Sequence, residues 1–340
     1  MKKYLNSNLF YQGDANIFLP LCIVYVAAFI FTVIGTNVVF SWNIKYYLYN
    51  QSQIEYIFSF EGVLILVAYI LAIYAITVGI FKRKKWSTFL SGPFSRLDIR
   101  VRELIIIVMS VLIYIGIFLS IVVKNYIQYY DLLQYLDGFD KIIIFDVIRI
   151  ISIATLTIGI LALLDSIFAN LYYLVGAGIF SFIYLVFLLV NFNPILTYYS
   201  YENVYGLRYI YNGLMQYLGG YSIGNNIYPT KIICISVAFI VIGLILIYIS
   251  KRLTNKMFVE NMNEGIIFDF PKKVASFMIV TFVGVVSAPY ISEFIDDAYF
   301  RYTLRAYHIV FIRLTSIVII SIVSYFTFKN FKKVKKDVYY

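Results

Sequence analysis

Four charged residues lie within long apolar runs of the chain: Glu61, Asp146, Arg149 and Arg313. A lone charge in hydrocarbon costs roughly 2.5–3.5 kcal/mol on insertion scales, so such a group faces a partner or a water-filled cavity. Asp146 and Arg149 are three residues apart, which puts them on one helix face where they can pair. Two readings stay open for the four. They are ion pairs that fix helix register, or they line a polar vestibule that meets substrate or lipid headgroups. A proton relay has less to build on, because no chain of titratable groups continues inward from them.

Little else in the sequence could do covalent or metal chemistry. His308 is the only histidine in 340 residues, which excludes the usual zinc sites and any scheme needing two histidines. Cys22 and Cys234 both sit in apolar runs and are expected to pack as small buried hydrophobes. No GxxxxGK[ST], HExxH, GxSxG or CxxC pattern occurs, so the chain has no P-loop for ATP and no familiar hydrolase signature. The expected catalytic set is empty, as is the metal set, and no cofactor is expected in this chain.

The elements that must hold these residues are set by composition. The chain is 62% hydrophobic and only 14% charged, where a soluble protein has about a quarter of its residues charged. Runs near or above the ~20 residues that cross a bilayer predict an all-α polytopic membrane protein. Eight spans are expected, at about 17–40, 57–81, 104–123, 142–164, 171–190, 232–250, 274–291 and 308–328, in a single transmembrane domain covering residues 1–340. Lysine and arginine fix the orientation. With both termini cytoplasmic, nineteen of the 28 basic residues fall inside and seven outside, and Arg149 and Arg313 lie within spans. That bias is the one that sets topology. The net charge of +10 therefore belongs to a membrane surface, and nucleic acid is not an expected partner.

One loop stands out. Residues 82–103, between spans 2 and 3, carry seven basic residues (Lys82, Arg83, Lys84, Lys85, Arg96, Arg100, Arg102) against Asp98 and Glu103. The same loop holds Trp86, Phe89, Leu90 and Phe94, which a plain solvated tether does not need. Gly92-Pro93 breaks a helix there, and Ser95 is placed to cap a new one beginning near Arg96. A basic amphipathic loop between spans suggests a cytoplasmic docking surface. The connection 191–231 is nearly uncharged and rich in tyrosine, which suggests elements lying at headgroup depth.

The stretch Phe89–Ile99, FLSGPFSRLDI, resembles the L-P-x-S-R signature of ABC-2-type permeases, the membrane subunits of ATP-binding cassette transporters. Pro93, Phe94, Ser95 and Arg96 match, and Gly92 stands where the family has leucine. Residues 251–270, KRLTNKMFVENMNEGIIFDF, are similar to the K/R…E-x-x-G pattern of an eight-helix Gram-positive branch, at Glu264 and Gly265. The family places a coupling element between spans 2 and 3 and an external helical element between spans 5 and 6, where this chain has its two unusual loops. The resemblance implies an ATP-driven transport subunit, not itself an enzyme, that exports an amphipathic peptide, antibiotic or lipid-like substrate. ATP and Mg would be held by separate ABC ATPase subunits, and a second permease copy or a related permease would complete the pathway. Trp86, Phe89, Leu90, Pro93, Phe94, Ser95, Arg96, Arg102 and Glu103 are then the ATPase-coupling residues, in a bacterial cytoplasmic membrane. Two rivals use the same composition differently: an ion-coupled secondary carrier, and a lipid-modifying enzyme that would need His308 or Glu61.

Overall fold

A computed structural model describes residues 18–50, 57–79, 96–133, 139–168, 171–201, 217–218, 229–255, 266–300 and 305–338. Among these, eight helices are long and apolar enough to cross a membrane, which agrees with the count expected from hydropathy. They are α1 (Phe18–Asn50), α2 (Phe60–Tyr74), α3 (Arg96–Gln128), α4 (Phe139–Ile167), α5 (Leu171–Tyr201), α6 (Pro229–Asn255), α7 (Asp269–Ile295) and α8 (Ala306–Val338). One π-helical turn, Ala75–Gly79, continues α2, another, Asp296–Phe300, continues α7, and a short helix, Tyr130–Leu133, follows α3.

Several helices outrun the apolar stretches that predict them. Helix α1 continues to Asn50 through residues expected to form a loop from Ser41, and α5 continues past Val190 to Tyr201. Backbone hydrogen bonding carries a helix beyond the hydrocarbon layer wherever no glycine or proline stops it, so span length marks the membrane and not the helix end. The start of α3 at Arg96 agrees with the helix start expected after Gly92-Pro93.

The chain packs as two compact units. Unit 1 comprises Met1–Ser166 with Ile210–Val259, and unit 2 comprises Ile167–Tyr209 with Glu260–Tyr340. In unit 1, the core runs through Leu66, Ile70, Ile73, Tyr114, Phe118, Ile150 and Ile153. Polar side chains join its helices. Tyr25 and Tyr69 meet Ser110, through its hydroxyl and its carbonyl at 2.9 and 2.8 Å, and Asn125 donates to Asn37 at 2.8 Å. In unit 2, α5, α7 and α8 pack together, with Tyr184 bonded to Thr281 at 2.9 Å. Where helices lack a hydrophobic drive to associate in lipid, such hydrogen bonds and close packing do the joining. Cys22 and Cys234 are exposed, which corrects their expected burial: each lies on an apolar helix face that suits lipid contact.

Candidate functional site

Asp146 and Arg149 form the expected pair, Nη1 to Oδ1 at 2.9 Å, and are 0% and 1% exposed. What they hold is backbone. Residues Ile57 and Phe58 precede α2 in non-helical conformation, so their amides have no helical acceptor. Asp146 Oδ2 accepts both N–H groups, at 2.9 and 3.0 Å, while Arg149 Nη1 donates to the Phe58 carbonyl at 3.0 Å. Arg149 Nε donates to the Tyr217 carbonyl at 3.1 Å, and its guanidinium lies 5.7 and 5.5 Å from the Phe58 and Tyr217 ring centres. Irregular backbone is tolerated at such depth only where its polar groups are satisfied by protein. The pair is a backbone staple, its carboxylate and guanidinium both bonded to the stretch that enters α2.

The other two candidates are placed elsewhere. Glu61 is exposed in the first turn of α2, where an acid favours the positive end of the helix dipole. Arg313 belongs to unit 2. There it meets a feature that the sequence displays but hydropathy does not weigh: proline inside α5 and α7, at Pro194 and Pro289. A proline has no N–H, so the carbonyl four residues earlier loses its helical donor. For Pro194 that carbonyl is Val190, and Arg313 Nη1 donates to it at 2.8 Å. For Pro289 it is Val285, and Asn191 Nδ2 donates to it at 2.8 Å. Each proline-freed carbonyl is thus satisfied by a side chain from another helix of the same unit.

A third feature lies where α3 begins. Arg100 is ion-paired to Asp165, near the end of α4, and to Glu103 at 3.2 Å. It also donates to the Ala162 carbonyl at 2.6 Å and to Ser250 Oγ, near the end of α6, at 3.3 Å. Ser250 bonds the Ala162 carbonyl at 2.8 Å and Ser166 Oγ at 2.6 Å. One buried guanidinium therefore ties the first turns of α3 to the ends of α4 and α6. A charge here is stable because two carboxylates and neutral acceptors replace its water. Arg102 and Glu103, which the resemblance counts among the ATPase-coupling residues, are 3% and 1% exposed. Glu103 is bonded there to Arg100.

Between the staple and this clamp, α4 meets α6 along small residues spaced by seven on α6: Ser236, Gly243 and Ser250. Tyr217 Oη bonds both Ser152 and Ser236, the latter at 2.7 Å. Burial pushes the Tyr217 phenol above its ordinary range, so it stays a neutral hydroxyl between the two serines. At the middle level a Cβ on Gly243 would lie 2.6 Å from the Thr155 carbonyl oxygen, and one on Gly159 would lie 2.6 Å from that of Gly243. The helices touch backbone to backbone. The seven-residue spacing on α6 is the signal that sequence reading passed over.

Trp86, Phe89, Leu90, Pro93, Phe94 and Ser95 lie outside the described residues, as do Glu264 and Gly265. So does most of the tyrosine-rich connection. Arg96 is described as the first residue of α3. Among the described residues no group of three or more His, Cys, Asp and Glu could hold a metal. No family model matches the chain, and no curated protein or solved structure matches it either.

Proposed function

We propose that this chain is the permease subunit of an ATP-driven transporter of the ABC-2 type, worked by separate ATPase subunits and exporting an amphipathic substrate. The observation that carries the reading is the Arg100 clamp and its place in the chain. It opens α3 directly after the basic, aromatic segment 82–95, and it binds α3 to α4 and α6 at their ends. With both termini cytoplasmic, as the basic residues require, that end of the helices faces the cytoplasm.

In this reading an ATPase seats on the segment that includes Trp86, Phe89 and Leu90. Its movement reaches α3 through the chain itself. Arg100 passes it to Asp165 and to Ser250, so α3, α4 and α6 shift as a block. Packed interfaces of this kind switch between discrete arrangements instead of bending gradually. Arg102 and Glu103, inside unit 1, serve transmission and not recruitment. The staple at Asp146 and Arg149 secures the opposite ends of α2 and α4.

Purification of the tagged chain from its native membrane in mild detergent, followed by mass spectrometry, tests the assignment. A stoichiometric P-loop ATPase supports it. A stable chain that purifies without any ATPase and supports uncoupler-sensitive transport contradicts it and favours an ion-coupled carrier.

A further inference from the structure

Arg313 differs from Arg149 and Arg100, which the spans also bury. Arg149 is paired with Asp146, and Arg100 with Glu103 and Asp165. Arg313 is only 7% exposed, yet its hydrogen bonds run to neutral acceptors, Ser292 Oγ at 2.8 Å and the Val190 carbonyl. It forms no ion pair among the described residues. Glu293, beside Ser292 on α7, is exposed and interacts with Arg313 only through its charge, without a hydrogen bond or ion pair. Among the described residues the second terminal nitrogen, Nη2, carries no hydrogen bond, and it is not among the fully buried polar atoms left without a partner. It sits six residues into the apolar run Tyr307–Thr327, ~9 Å along the helix axis. A long side chain can present charge to the headgroup layer from that depth.

We propose that Arg313 is an anion-binding residue. Its Nη2 takes a phosphate or carboxylate oxygen from the head of an amphipathic molecule lying against α5, α7 and α8. The inference stands on unit 2 alone and does not depend on the permease reading. Nε and Nη1 are each held by a fixed neutral acceptor, which sets the plane of the guanidinium and leaves one edge for a ligand. A charge-assisted bond there neutralises a cation that has no ion pair among the described residues.

The difficulty in testing it is that Arg313 also satisfies Val190. Pro194→Ala resolves this, because it returns an N–H to the position that bonds the Val190 carbonyl within α5. The double variant Arg313→Gln/Pro194→Ala therefore lacks the charge but keeps that carbonyl satisfied. The whole chain is examined by native mass spectrometry from vesicles of phosphatidylglycerol in phosphatidylcholine, and separately with dodecyl phosphate. The expected result is an anion preference of about tenfold in the wild type and in Pro194→Ala, lost in the double variant. Preference for phosphatidylglycerol identifies a lipid site, while preference for dodecyl phosphate alone identifies a site for a free amphipathic anion. Equal retention of both probes by wild type and double variant overturns the proposal. A reading independent of variants is thermal unfolding of the wild type. Dodecyl phosphate must raise its Tm above the value in dodecyl maltoside, and no difference also overturns the proposal.

Discussion

Asp146 and Arg149 grip the same short stretch of backbone from two sides, the carboxylate holding the amides of Ile57 and Phe58 and the guanidinium holding the carbonyl of Phe58. The pair thus closes a gap that a chain entering α2 in irregular conformation would leave in apolar surroundings. Removing one member strands the other as a buried charge, which costs about 3–5 kcal/mol. Arg149→Met and Asp146→Ala are each expected to lower thermal stability severely in detergent. The double variant is expected to be less unstable than the sum, with a coupling of about 1–3 kcal/mol in a double-mutant cycle. Additive losses would show that the two act separately.

The contact between α4 and α6 makes a sharper steric prediction. Gly243→Ala places a carbon against the Thr155 carbonyl, with only backbone to yield, and is expected to cost about 1–3 kcal/mol. Gly116→Ala is the control, since nothing lies within 4 Å of its added carbon. That change is expected to be neutral, or stabilising by up to ~1 kcal/mol through helix propensity. Equal Tm values for the two variants would contradict the close approach.

Asn191 supplies the partner for the carbonyl that Pro289 frees. Asn191→Leu leaves that carbonyl buried without a donor, which costs about 1–3 kcal/mol. Adding Pro289→Ala restores a helical N–H and is expected to recover most of the loss, measured by thermal unfolding. No recovery would mean that the asparagine acts elsewhere.

The sequence carried the helix count, the start of α3 at Arg96 and the Asp146–Arg149 pair. Each follows from a local rule: hydropathy over a span, a proline that stops a helix, and two residues on one face. It did not carry the grouping of charges. Glu61, Asp146, Arg149 and Arg313 look alike as charges in apolar runs, but Glu61 is exposed while the other three hold backbone groups freed by irregular chain or by proline, and hydropathy does not register these. The link between Pro194 and Arg313 is readable only in part, since sequence predicts an orphaned carbonyl at Val190 and not the helix that answers it. Arg100 and Asp165 carry no such local signal. They sit at span ends, where a charge is ordinary, and they are 65 residues apart.

In the proposed permease, substitutions at Arg100 and Asp165 are expected to separate recruitment from transmission. Asp165→Asn weakens the clamp without touching the segment before α3. It is expected to leave the amount of bound ATPase unchanged and to reduce transport-linked ATP hydrolysis at least about tenfold, equivalent to ~1.4 kcal/mol. Arg100→Asp/Asp165→Arg restores an opposite pair and is expected to recover part of the activity. Loss of the ATPase itself in Asp165→Asn would place this residue in the docking surface instead.

The most direct test of the permease assignment compares wild type with Phe89→Asp and Arg96→Glu in the same affinity purification from native membranes. The wild type is expected to retain a stoichiometric P-loop ATPase whose hydrolysis is blocked by vanadate. Both variants are expected to lose that subunit while melting at the wild-type temperature. Recruitment that is unchanged in both variants, or a wild type that carries no ATPase, would contradict the assignment.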